Sequence, residues 1–296
     1  MTEILRVRRL GERGPVVALI HGWGWDSRVL APLAEALSAH AQVVLPDLPG
    51  YGLNRDRRCA DFDACVDLLA ATVPDADMLV GWSLGAQLAL HIAARHPHKA
   101  ARLVLIAATP RFVQAPDWPA ALPEATLADF RADFDTAPDA TQRRFTALQA
   151  MGDGRRRDVT AALNAALTPA DDIHRAALAT GLKLLADTDL RASIGSVRQP
   201  VRLIHGAEDR LMPAAAAEWL ADALPDGRLS VFKDCGHAPL LSRSADCAAL
   251  IAAFATEATE AAEAIEHPQG RALPSPPPEG DQGNLGRPCV SLGAGH

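Results

Sequence analysis

Two kinds of apolar pattern alternate along the first third of the chain. Short apolar runs at Val16–Ile20, Gln42–Leu45, Met78–Gly81 and Arg102–Ala107 have the length and Gly/Pro punctuation of strands. Between them, Ser27–Ala39, Asp61–Thr72 and Leu84–Arg95 are longer and amphipathic, as helices are. The alternation returns near the end, with strands predicted over Val201–His205 and Arg228–Phe232 and helices over Ala214–Ala223 and Ser244–Phe254. Strand–helix repetition of this kind predicts an α/β fold, a mostly parallel central sheet with crossover helices on both faces.

The pattern breaks once, between Pro110 and Gln199. Four helical patterns occur there (Glu124–Phe134, Ala140–Met151, Arg155–Ala166 and Asp171–Asp187), with no convincing strand and with prolines at 110, 116, 119, 123, 138 and 169. Residues 110–199 are therefore expected to form a helical lid inserted between two strands. It would cover the strand ends, where ligands of open α/β sheets bind. Residues 1–109 and 200–256 would make the core. From Glu266 to His296 the chain is rich in Pro and Gly, as in Ser275-Pro-Pro-Pro-Glu279, and a disordered tail is expected over 266–296.

Composition narrows the class of protein. Hydrophobic residues make up 49% of the 296 and charged residues 22%, ample for a sizeable core. A net charge of −7 gives no basic field to recruit nucleic acid. The segment Met1–Gly14 is charged and lacks the apolar core of a secretory signal. No run approaches the roughly 20 apolar residues of a membrane helix. Five cysteines, odd in number and without CxxC spacing, read as free thiols in a reducing compartment rather than a disulfide or zinc framework. The expectation is a cytoplasmic, monomeric protein without metal.

Against that background three segments carry chemistry. Gly81-Trp-Ser83-Leu-Gly85 follows an apolar run and opens a helical one, the strand–turn–helix context of a nucleophile elbow. Such a turn is tight enough to demand small neighbours, and it lifts Ser83 above the sheet. Val201-Arg-Leu-Ile-His205-Gly-Ala-Glu-Asp209 is strand, turn and acid, with Pro213 opening the next helix. Asp209 is the expected acid; Glu208, one residue away, would point elsewhere. Asp234-Cys-Gly-His237-Ala-Pro239 follows the last strand and offers His237 as base. His40, His91, His96, His98, His174 and His205 are read instead as surface or helix residues. The chain order Ser, Asp, His is that of the α/β-hydrolase fold.

His21-Gly-Trp-Gly24 follows the strand Val16–Ile20. Its turn predicts an oxyanion hole made by the backbone N–H groups of Trp23 and Leu84, with His21 structural and the Trp23 ring either flooring the acyl pocket or packing. A serine at the elbow argues against dehalogenase or epoxide hydrolase chemistry, and an acyl-enzyme route needs no cofactor.

From about Leu5 to Phe254 the chain resembles the pimeloyl-[acyl-carrier protein] methyl ester esterase family of biotin synthesis. The resemblance rests on His21-Gly-Trp-Gly24, Asp47-Leu-Pro-Gly-Tyr-Gly52, the elbow, Asp117-Trp-Pro119, Arg144-Phe-Thr-Ala-Leu-Gln-Ala-Met-Gly152 and Gly236-His-Ala-Pro239. It implies that Trp23, Ser83, Leu84, Phe145, Thr146, Ala147, Leu148, Gln149 and His237 line a substrate channel, and that the partner is an acyl-carrier protein. Ala86 and Leu53-Asn54 depart from the family pattern. Arg143, Arg144, Arg155, Arg156 and Arg157 form a basic cluster suited to an acidic carrier; the resemblance supports Arg144 and Arg157 most directly. Two other readings remain on these residues: a broader short-chain carboxylesterase or carbon–carbon bond hydrolase, and a non-catalytic binding protein on the same fold.

Overall fold

The computed structural model describes residues 4–168 and 171–266. In chain order the core begins with β1 (Val7–Leu10), β2 (Val16–Ile20), α1 (Ala31–Ser38), β3 (Gln42–Pro46), α2 (Phe62–Thr72), β4 (Ala76–Trp82), α3 (Leu84–Arg95) and β5 (Ala100–Ile106). Four helices follow: α4 (Glu124–Thr136), α5 (Pro138–Gln149), α6 (Arg156–Ala165) and α7 (Asp172–Asp187). The core resumes with β6 (Val201–Gly206), α8 (Ala214–Ala223), β7 (Gly227–Phe232), α9 (Pro239–Ser242) and α10 (Ser244–Glu266).

The seven strands form one sheet in the order β1-β3-β2-β4-β5-β6-β7, with only β1 antiparallel to its neighbour. From β2 the chain moves outward to β3, then crosses back so that β4 pairs with the other side of β2. That reversal leaves a crevice at the carboxyl ends of β2 and β4, where an α/β sheet binds its ligand. The central strands are buried on both faces, and α3 lies on them with Leu84, Ala86, Leu88, Ala89, Ile92 and Ala93 all buried. Side-chain caps fix several helix starts: Asp61 accepts from the N–H of Ala64, and Asp171 from that of His174.

The inserted helices share the core rather than building their own. Phe130, Phe134, Phe145, Leu178 and Leu182 belong to the same buried cluster as Trp23, Trp25 and the strands. The irregular segment leading into α4 is pinned at its edge, where Trp118 meets Trp219 of α8 edge-on at 5.1 Å. Arg191 lies over Trp118 and pairs with Asp117 at 2.9 Å.

The differences from the sequence reading lie at the edges. Strand β1 carries no signal beyond Val-Arg-Arg-Leu, four residues of which none is fully buried and which gain order by pairing with β3. The stretch Ser27–Ala39 divides into a 3₁₀ turn, Ser27–Leu30, and α1, which has a proline in its first turn. Helix α10 runs on past Phe254 to Glu266. Apart from Glu266, the expected tail lies outside the described residues, as does Pro169. Leu53 and Asn54 stand in a short 3₁₀ turn. Buried Asn54 spends its amide on the backbone of Arg6 and Asp47, tying β1 to the loop after β3. No helix among the described residues is long and apolar enough to cross a membrane.

Candidate active site

Strand β4 ends in a turn that only its glycines permit. A Cβ on Gly81 would lie 2.2 Å from the carbonyl oxygen of Gly85, and one on Gly85 would lie 2.3 Å from that of Ile20. Ser83 between them has φ 56° and ψ −119°, a left-handed conformation that costs a non-glycine residue on the order of 1–3 kcal/mol. The turn is held by the Ser83 N–H on the Ile106 carbonyl at 3.0 Å and the Ala86 N–H on the Ser83 carbonyl at 2.9 Å. Ser83 is buried but for 6% of its surface. Leu84 is the first residue of α3, so its N–H has no carbonyl one turn back within the helix and lies at the positive end of the helix dipole. The turn after β2 abuts the elbow: a Cβ on Gly22 would sit 3.1 Å from the Cβ of Ser83, which brings the backbone of Trp23 to the same crevice.

Asp209 follows β6 and is buried. Its Oδ1 accepts from the N–H groups of Leu211 and Met212, both at 2.9 Å. Its Oδ2 lies 2.6 Å from Nδ1 of His237, also buried. Burial opposes ionisation of Asp209, yet the facing imidazoles, His237 ahead of His205, hold its carboxyl well below the usual carboxylate range. With Nδ1 engaged by the carboxylate, Nε2 is the ring nitrogen of His237 left for other work. Glu208 is half-exposed and pairs with Arg210 at 3.1 Å, so it turns away from the imidazole.

The loop bearing His237 is held from three sides. The indole N–H of Trp82, the residue before Ser83, donates to the His237 carbonyl at 2.9 Å. The His237 N–H donates to the carbonyl of Gln149 at the end of α5 (3.0 Å), and the Gly154 N–H donates to that of Asp234 (2.9 Å). Buried Asp153 accepts from the N–H of Gly236 at 3.1 Å and from that of Arg155 at 2.7 Å. The turn between α5 and α6 thus grips the histidine loop. Neither Asp153 nor Trp82 stood out in the sequence: Gly152-Asp-Gly154 reads as an ordinary turn, and Trp82 occupies a variable place in the elbow pattern.

His205 differs from its expected placing. It is wholly buried at the end of β6, with Nε2 3.4 Å from Oδ2 of Asp209. The end of β6 is enclosed on both faces, with Leu203, Ile204 and Gly206 buried beside it, so a side chain there is interior whichever way it points. His174 lies in α7 as expected, but it too is buried. His21 is buried and structural: Nδ1 donates to the Gly22 carbonyl, and Nε2 accepts from the Leu48 N–H, each at 2.9 Å. Burial lowers its pKa against the pull of Asp47, which leaves the ring neutral.

An aromatic wall stands beside the elbow. Trp23 is buried, donates to the Leu178 carbonyl at 2.8 Å, and meets Phe145 edge-on at 4.8 Å; Phe130 and Trp25 complete the group. On α5, Phe145, Thr146 and Gln149 are buried, Leu148 is half-buried and Ala147 is exposed. The Oε1 of Gln149 is buried and meets no hydrogen-bond partner among the described residues. The five arginines are exposed. Arg144 pairs with Asp133, whereas the guanidinium of Arg155 donates to the Ser242 carbonyl at 2.9 Å and so is spent on the fold.

Residues 15–244 match the family model described as alpha/beta hydrolase fold. A protein of Aromatoleum aromaticum named pimeloyl-[acyl-carrier protein] methyl ester esterase is 52% identical over 242 residues, 80% of this chain and 96% of that relative. A protein of the same name from Chromobacterium violaceum is 41% identical over 248 residues, covering 84% of this chain and 96% of its own length. Among solved structures, a hydrolase from Oleispira antarctica aligns with a TM-score of 0.75 at 16% identity, covering 85% of this chain and 94% of that one. At that identity the likeness speaks for the fold alone.

Proposed function

The chain belongs to the alpha/beta hydrolase fold family, and within it to the pimeloyl-[acyl-carrier protein] methyl ester esterases, and we propose that it hydrolyses that methyl ester to methanol and pimeloyl-[acyl-carrier protein] in biotin synthesis. The observation that carries the chemistry is the buried contact of 2.6 Å between His237 and Asp209, on a loop tied by Trp82 to the strained elbow of Ser83.

In this reading Oγ of Ser83 attacks the ester carbonyl carbon as Nε2 of His237 takes its proton. Asp209 holds the imidazole in the Nδ1–H tautomer and stabilises the imidazolium. The N–H groups of Trp23 and Leu84 receive the oxyanion, whose charge exceeds that of the ground-state carbonyl; losing one such donor typically costs on the order of a hundredfold in rate. Collapse expels the methoxy group, which leaves as methanol with the proton from His237. Water then gives its proton to His237 and attacks the acyl-enzyme, and the second collapse returns that proton to Ser83 and frees the carboxylate.

The aromatic wall of Trp23 and Phe145, with Thr146, Leu148 and Gln149, would give the acyl group a mostly apolar lining with few polar points, suited to a long methylene chain. Ala147 faces outward and would act only through its backbone. The inserted helices α4–α7 serve as the lid, and Arg143, Arg144, Arg156 and Arg157 offer an acidic carrier protein an exposed basic surface.

The test pairs two measurements. A fluorophosphonate should label the protein at Ser83, and Ser83→Ala should abolish both labelling and turnover. Hydrolysis of the pimeloyl-carrier methyl ester should exceed that of short p-nitrophenyl esters in kcat/KM. The reverse preference would replace the proposed substrate with that of a general carboxylesterase, and an active Ser83→Ala would overturn the mechanism.

A further inference from the structure

The carboxylate of Asp209 faces two imidazoles. Nε2 of His205 lies 2.7 Å from the carbonyl oxygen of Met212 and 3.4 Å from Oδ2 of Asp209, the oxygen that His237 also meets. A carbonyl oxygen can only accept, so Nε2 of His205 carries a hydrogen whichever protonation state the ring adopts. Nδ1 of His205 is buried without a partner among the described residues, so the contacts of the ring fix only its Nε2 edge.

The charged groups that bear on this ring are few. Asp209 dominates, His237 stands beyond it, and Glu218 of α8 acts at longer range. Cys235 of the histidine loop is a neutral thiol at working pH, since burial pushes it up to about 12. Burial resists protonation of His205, but the hydrogen bond and charge of Asp209 outweigh it and raise its pKa.

We propose that His205 is a positioning residue for ester hydrolysis: its Nε2–H, bonded to the Met212 carbonyl, sets positive charge 3.4 Å from the Oδ2 of Asp209 that His237 engages, and so limits how strongly that carboxylate stabilises the imidazolium. The proposal rests on the roles given above to Asp209 and His237. A positive dipole or charge beside a carboxylate lowers the negative potential that it presents to a second partner. Both the neutral and the cationic forms of His205 act in the same direction, so the sign does not depend on its protonation.

The experiment compares kcat/KM against pH for the full chain and three variants. His205→Phe keeps a ring and removes the donor. His205→Asn keeps a polar group whose shorter side chain stops short of Oδ2. His205→Gln carries an N–H donor near the place of Nε2 and does not titrate. The acid limb should move to higher pH by about 0.5 unit or more in the Phe and Asn variants, and return to the wild-type position in the Gln variant. A limb that stays in place in whichever of the Phe and Asn variants folds would overturn the proposal, even if Tm fell, because a purely structural histidine would change stability and not the profile. Ser83→Ala run beside them keeps the two questions apart. If it is inactive and the limb does not move, His205 alone has been misread; if it is active, the site itself has.

Discussion

Asp153 is the residue whose loss should separate the fold of the inserted helices from the placement of the base. Its carboxylate accepts the N–H of Gly236, next to His237, and the N–H of Arg155, at the start of α6. A hydrogen bond to a charged acceptor contributes about 1.5–3 kcal/mol. In Asp153→Ala the Arg155 N–H, on an exposed residue, can turn to water, while the buried Gly236 N–H is left unpaired. The expected loss is about 2–4 kcal/mol, which for a folded body of this size lowers Tm by about 5–15 °C. The Gln149 contact keeps the loop near its place, so binding should persist while the imidazole is misaimed. A misplacement of about 1 Å can cost on the order of a hundredfold in rate. Calorimetry and steady-state kinetics should therefore find kcat reduced at least tenfold with KM little changed, and Asp153→Asn, which keeps one acceptor oxygen, should fall between. A wild-type Tm and kcat in Asp153→Ala would refute the reasoning.

Three further outcomes follow from the site. Asp209→Asn should lower kcat by about ten-thousandfold, as a wrong histidine tautomer does, while Glu208→Gln, paired only with exposed Arg210, should leave it nearly unchanged. The depressed Asp209 carboxyl contributes stability that is fully present above its unfolded value of about 3.9 and is lost as pH falls toward its lower folded value. The Tm of Asp209→Asn should accordingly fall less than that of wild type as pH drops below about 4. Replacing Arg144 and Arg157 with alanine should raise KM for the carrier-bound ester and flatten its salt dependence without altering hydrolysis of a small free methyl ester; equal losses on both substrates would remove the docking role. Among the described thiols, Cys59, half-buried and with its pKa lowered by a hydrogen bond with Cys65, should be alkylated at neutral pH well before Cys235, as mass spectrometry of the two peptides would read out.

The parts of the molecule that announce themselves in the sequence are those fixed by local sterics. Gly81 and Gly85 mark the elbow because no Cβ fits at either place, and α3 and α8 begin and end where their patterns do. Asp209 and His237 stand out because each lies in the loop that follows a strand. The rest depends on residues that meet only after the chain has folded. The bond between Asp153 and Gly236 spans 83 positions, and nothing in a Gly-Asp-Gly turn foretells it. His205 was misjudged because β6 becomes an interior strand, paired on both sides with β5 and β7 and enclosed on both faces at its end, only once the sheet is assembled. Strand β1 escaped notice because its order comes from pairing with β3, not from its own four residues.

The shared core has a consequence for protein engineering. A natural route to new substrates in this architecture is to transplant the inserted helices of one enzyme into another. Here the graft would carry part of a continuous interior. Phe145 stacks on Trp25 and meets Trp23 edge-on, the indole N–H groups of both tryptophans end on carbonyls of Leu163 and Leu178, and Gly236 packs 2.9 Å, measured from the Cβ it lacks, from the carbonyl of Gln149. A chimera cut cleanly at the sheet would leave these partners facing strangers. The exchangeable unit is larger than the four helices: it includes the turn after β2 and the loop after β7, so selectivity and the placement of the base would have to be redesigned together.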